Sequence, residues 1–70
     1  MNIIFTNHAK EAIRDRKILE SEVIESIKYP DKTIKKHGKI YIQKNLERGQ
    51  IEISTERTEN VIKIITVYWL

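Results

Sequence analysis

Val61–Trp69, VIKIITVYW, is the most apolar stretch of the chain and decides how the rest is arranged. It is rich in β-branched and aromatic residues and contains neither glycine nor proline, so it reads as a strand covered on both sides or lying centrally in a sheet. Alternation puts Ile62, Ile64, Thr66 and Tyr68 on one face and Val61, Lys63, Ile65, Val67 and Trp69 on the other. Lys63 marks the second set as the wetter one. The first set is therefore expected to face the helices, leaving Val67 and Trp69 as an exposed patch of the kind that receives a partner. A shift of one residue in register would exchange the two faces.

Working back from this strand, Ile51 and Ile53 alternate with Glu52 and Ser54, and Thr58-Glu59-Asn60 turns the chain into the last strand. Lys39–Leu46 places Ile40, Ile42 and Leu46 on one face and Tyr41, Gln43 and Asn45 on the other. His37-Gly38 and Arg48-Gly49 supply the intervening turns, glycine tolerating the positive φ that tight hairpins need. The result is an antiparallel meander beginning near Thr33. Before it the period is helical. A helix is expected from about Asn7 to Lys17 with Ala9, Ala12 and Ile13 inward. Ser21 is the expected cap of a second helix carrying Val23, Ile24 and Ile27, which Pro30 ends at Tyr29. Asn2–Thr6 is either an edge strand or an extended lead-in. The expected architecture is a single α+β domain over residues 1–70: two N-terminal helices on a three- to four-stranded antiparallel sheet, with a short N-terminal strand as an option.

Seventy residues bury only a small core, and with no cysteine the chain has neither disulfides nor thiolate metal sites to reinforce it. Pairing into a homodimer or with another protein would add stability. The opening MNIIFTNH has no signal-peptide pattern, and no segment approaches the roughly 20 apolar residues of a membrane span. A cytoplasmic protein with no membrane partner is expected. Thirteen Lys and Arg against ten Asp and Glu give a formal charge of +3. The excess is local: Lys32, Lys35, Lys36 and Lys39, with His37 and no acid, form a patch suited to phosphates, with Tyr41 following as a stacking surface. Lysines defending a hairpin edge would look the same.

The remaining chemistry concentrates in His8–Arg16, HAKEAIRDR. At roughly 100° per residue, His8, Ala12 and Arg16 form one slanted ridge, with Arg16 inside the apolar arc. A guanidinium there must reach a polar cleft or snorkel to the edge. The alternative is ordinary: His8 solvated in the first turn, Arg16 covering apolar surface with its stem. No HExxH, no carboxylate cluster and no phosphate-cradling glycine loop accompanies these residues, so neither metal nor cofactor is expected. Cleavage of RNA through its own 2'-hydroxyl needs only a base, an acid and cations. His8 as base or acid, Arg16 as phosphate clamp and Tyr68 or Tyr41 as proton donor or stacking surface would satisfy it.

FTNHAKEAIRDRKILESEVIESIKYP, the basic hairpin that follows it and the ending VIKIITVYWL together resemble a small prokaryotic and phage-associated family known as a domain of unknown function. That family is placed by fold with RelE-like ribonuclease toxins in the barnase, colicin and RelE group. The positions that carry the resemblance are His8-Ala9, Arg16 with Ile18, Glu22-Val23, Pro30-Asp31 and Thr66-Val67-Tyr68. It implies a RelE-like domain, a metal-independent endoribonuclease toxin acting on RNA, His8, Arg16 and Thr66 as site candidates, and a cognate antitoxin or immunity protein. The chain is shorter than ribosome-dependent RelE-like toxins and has few arginines on its sheet, so dependence on ribosomes is not expected. The competing expectation is a non-catalytic module that binds nucleic acid through Lys32–Lys39 and Tyr41, or protein through the last strand.

Overall fold

The computed structural model describes residues 2–70. It is α+β: β1 (Asn2–Phe5), α1 (Asn7–Asp15), α2 (Glu20–Lys28), β2 (Lys32–Lys36), β3 (Lys39–Leu46), β4 (Gly49–Arg57) and β5 (Val61–Trp69). The strands form one five-stranded sheet in the order β1-β5-β4-β3-β2. Strands β2 to β5 are the expected antiparallel meander, and β1 joins β5 in parallel, so the sheet is mixed. The option of an N-terminal strand is realised, which makes the sheet one strand wider than expected. Strand β4, rather than β5, is central.

Both helices lie on one face of the sheet, α1 against β5 and α2 against β3. Ala9, Ile13, Ile18 and Val23 meet Ile42, Ile51, Ile53, Ile62, Ile64 and Val67 in a single core. The other face carries no helix, so polar side chains there keep more contact with water than on the core face.

The face assignment of β5 is right for its first half and reversed for its second. Ile62 and Ile64 point into the core as alternation predicts. The register with β4 then slips: Thr55 pairs with Ile64, but Ser54 pairs with Thr66, leaving Ile65 as an extra residue. This β-bulge changes the phase of everything after it. Val67 is fully buried opposite Ile53, and Trp69 packs against the core opposite Ile51, while Thr66 and Tyr68 turn to the helix-free face. The expected exposed patch of Val67 and Trp69 therefore does not form, and Arg16, on the helix side, does not share a face with Thr66 or Tyr68.

Thr6 holds the bulge. Its hydroxyl donates to the carbonyls of Ile64 and Ile65 at 2.9 and 3.2 Å, and its N–H donates to Ile64 at 3.1 Å. The same oxygen accepts from the Ala9 N–H at 3.0 Å, capping α1. One side chain thus starts the helix and supplies a hydroxyl donor to the two carbonyls at the bulge.

Helix α1 ends two residues earlier than expected. Lys17 has φ +57°, and the N–H groups of Lys17 and Ile18 donate to the carbonyls of Arg14 and Ile13 at 3.3 and 2.8 Å. This is a Schellman motif with the apolar pair Ile13 and Ile18 closing it. Its left-handed position normally signals itself by glycine, and lysine hides it. Helix α2 starts at Glu20 rather than after Ser21, because the Glu22 carboxylate accepts from the Leu19 N–H at 3.0 Å. Tyr29 ends it before Pro30 as expected.

A clamp joins the two helices to the sheet. Arg48, in the β3–β4 turn, makes a two-pronged pair with Glu22, both contacts at 2.9 Å, and donates to the Lys17 carbonyl at 3.1 Å. Its guanidinium stacks 5.6 Å from the centroid of the Trp69 ring. The Trp69 indole donates to the Arg16 carbonyl at 2.9 Å. The ring also lies 3.4 Å from where a Cβ on Gly49 would stand, so the strand begins with the residue that lets it approach. Arg48 beside it holds the Glu22 carboxyl below the usual carboxylate range.

Replacing Thr6 by valine removes the cap and the hydroxyl bonds to the bulge carbonyls, of which Ile64 keeps the N–H of residue 6, and should destabilise the protein by about 2 kcal/mol in urea unfolding. Thr6→Ser keeps the oxygen and should retain most of that. Lys17→Gly should raise stability by up to about 1 kcal/mol, because relief of a left-handed lysine (about 1–2 kcal/mol) exceeds the added chain entropy of glycine (about 0.5–1 kcal/mol). An upward shift of the thermal midpoint by a few degrees would register it.

Candidate nucleic-acid interface

The helix-free face of the sheet is organised in cross-strand rows. One row runs Lys32, Gln43, Glu52, Tyr68 and the next Ile34, Tyr41, Ser54, Thr66. Each residue is brought there by strand alternation, except Thr66 and Tyr68, which the bulge delivers. In the first row the Gln43 amide donates to Glu52 Oε2 at 2.8 Å, and the Tyr68 hydroxyl donates to Glu52 Oε1. The Glu52 hydrogen bond, with desolvation and the Glu52 and Tyr41 charges adding to it, pushes the Tyr68 phenol up to about 12. Tyr68 is therefore a neutral donor throughout the physiological range.

Beside this chain lies a groove of about 500 Å³ lined by Ile34, Lys36, His37, Tyr41 and Glu52. The His37-Gly38 turn forms its rim, both residues having positive φ (53° and 75°), the two-residue arrangement that fits the twist of a hairpin. It brings together an imidazole, a carboxylate, an ammonium and an aromatic ring. Lys39, cross-strand from Lys36, adds a second cation at the hairpin tip. Among the described residues no group of three or more His, Cys, Asp or Glu side chains stands close enough to hold a metal ion.

The residues singled out from sequence fall into three places. Lys32, Lys36, Lys39, Tyr41, Thr66 and Tyr68 share the helix-free face, whereas Lys35 alternates to the opposite side of β2. His8 and Arg16 are exposed on the helix layer. Arg16 is the C-cap of α1 rather than a member of its last turn, and Ala12 between them is buried, so the ridge offers no open cleft between its two polar ends. At 1.5 Å per residue the two ends of that ridge lie about 12 Å apart along the helix axis.

Two members of the face, Glu52 and Gln43, were not singled out from sequence, where they read as the polar half of an alternating pattern; His37 was noted in the basic patch and as a turn residue, without a role of its own. The available signal was register, but the second turn is Glu47-Arg48, one residue earlier than the Arg48-Gly49 expected from sequence, and only that shift sets Gln43 opposite Glu52 and Tyr41 opposite Ser54.

These features define a small α+β protein whose mixed sheet is covered by helices on one side and presents tyrosines, a carboxylate and lysines on the other. Residues 5–69 match the family described as "Domain of unknown function (DUF4258)", and the chain belongs to it. No curated protein and no solved structure matches the chain. No helix among the described residues is long and apolar enough to cross a membrane.

The Tyr68 phenol has a measurable signature. In an ultraviolet titration of the three tyrosines, one should ionise near pH 12, and Glu52→Leu should return it toward the ordinary value near 10. Because its folded pKa is raised, the stability Tyr68 contributes is complete below about pH 10 and disappears as pH rises through 12. The wild type should therefore lose more stability than Tyr68→Phe across that interval.

Proposed function

We propose that this protein is a RelE-like toxin that binds single-stranded RNA on the helix-free face and cleaves it without a metal. The observation that supports this reading best is the groove in which His37, Glu52, Lys36 and Tyr41 converge. Bases stack on Tyr41, and the backbone phosphates follow Lys32, Lys36 and Lys39 along the hairpin. In cleavage, a base takes the proton of the 2'-hydroxyl as its oxygen attacks the adjacent phosphorus. An acid protonates the departing 5'-oxygen, and a 2',3'-cyclic phosphate remains. The Glu52 carboxylate suits the first role and protonated His37 the second, while lysine carries the charge that develops on the phosphoryl oxygens. Thr66 and Tyr68 border the same face as donors. His8 and Arg16, on α1, form the competing catalytic set. A toxin of this kind is held in check by a cognate antitoxin or immunity protein, and it acts in the cytoplasm.

A specific observation favours a second reading, a binding module without catalysis. Both Glu52 oxygens are already engaged, one by Gln43 and one by Tyr68, as in a network that fixes a surface.

The test is incubation of the purified protein with single-stranded RNA in EDTA, alongside folded His37→Ala, Glu52→Gln, His8→Ala and Arg16→Ala variants. The ribonuclease reading expects cyclic-phosphate ends, with losses of about 10²-fold or more in His37→Ala and Glu52→Gln. Equal losses in His8→Ala and Arg16→Ala alone would move the centre to α1. RNA bound but left intact by the wild type would establish the module.

A further inference from the structure

The two edges of the sheet differ in a way that selects a partner. One edge is β1, four residues long with no charged side chain. The other is β2, Lys32–Lys36, which pairs with β3 only and so presents every second backbone N–H and C=O outward. Three of its five residues are lysines, and all three are exposed. Lys32 and Lys36 project to the helix-free side and Lys35 to the other, so cations flank the free backbone on both faces. The one acid at the start of the strand, Asp31, is turned back toward β3, where it accepts from the Asn45 N–H at 2.7 Å and lies 3.7 Å from Lys44.

We infer that the free edge of β2 docks an extended acidic segment of a partner protein, which adds to the sheet as its next strand. Backbone pairing supplies the geometry, and carboxylates opposite Lys32, Lys35 and Lys36 supply the selection. A second copy of this chain is disfavoured at the same edge, since β2 against β2 would set lysine beside lysine. The charges that prevent self-association are those that admit a strand of opposite sign. A strand seated there flanks Ile34 and Lys36 on the rim of the groove, so it would occlude part of the helix-free face. The inference rests on sheet topology and charge, and holds whether or not that face cuts RNA.

The test uses the whole chain and a short labelled peptide repeating Glu-Glu-Val-Val, which in an antiparallel strand sets carboxylates opposite Lys36, Lys35 and Lys32, with a twin in which the central valines are prolines and the charge is unchanged. Saturable binding of the first peptide is expected by fluorescence anisotropy, with new protection of β2 amides in hydrogen exchange. The proline twin should fail, and Lys35→Glu with Lys36→Glu should weaken binding at least about tenfold. Lys10→Glu with Lys28→Glu, the same charge change on the helices, should leave it unaltered. Equal binding of the proline twin would overturn the proposal, since charge alone would then suffice. Protection of the same amides by oligouridylate but not by the peptide would overturn it in favour of RNA, and their protection in a peptide-free dimer would overturn it in favour of self-pairing.

Discussion

The hydroxyl of Thr6 is the point on which the arrangement of this small protein turns. It caps α1 and holds the carbonyls on either side of the β5 bulge in one set of hydrogen bonds. The bulge decides which residues of β5 belong to the core and which to the surface. Upstream of it Ile62 and Ile64 are core; downstream Val67 is core and Trp69 packs against it, and Thr66 and Tyr68 are released to the other face. A strand of unbroken alternation would have buried the phenol of Tyr68 under the helices and put an indole in water. The irregularity therefore serves the core and the polar face together.

At the other end of the sheet, Arg48 closes the structure from the turn between β3 and β4. Its two-pronged pair with Glu22 is partly exposed and contributes little by charge alone. Its value lies in what it joins: the start of α2, the end of α1 through the Lys17 carbonyl, and the Trp69 ring of β5. A domain of this size has few core residues to spare, and such a junction confines short helices that propensity alone would leave marginal. The Schellman turn at Lys17 is part of the same junction, since it aims the carbonyl that Arg48 uses.

Much of this was legible in the sequence. The change from helical to alternating period near Thr33, the His37-Gly38 turn, the stop at Pro30 and the inward faces of α1, β3 and β4 are all written locally, and the structure realises them. What was not legible depends on contacts between distant residues. A bulge leaves no mark when both halves of a strand are apolar, and Ile64-Ile65 fits either phase. The parallel pairing of β1 requires knowing that the chain returns beside it. The left-handed Lys17 lacks its usual glycine, and Glu22 begins α2 from inside the helix, so both helix boundaries moved. For the candidate site, the lysines and both tyrosines were visible as residue types. Their separation from His8 and Arg16, and their company with Glu52 and Gln43, emerge only once register and phase are known.

Trp69 is the single tryptophan of the chain. Its indole is bonded to the end of α1, roofed by Arg48 and laid over Gly49, all on the helix side of the sheet. The molecule thus carries a built-in optical gauge of one seam, the join between the helix layer and the strands. Its emission colour and quenching will follow the loosening of that join, while events on the tyrosine face occur across the thickness of the sheet and are read by phenol signals instead. With Tyr29, the phenol at the end of α2, replaced by phenylalanine, the two faces of this protein are spectroscopically separable without any label.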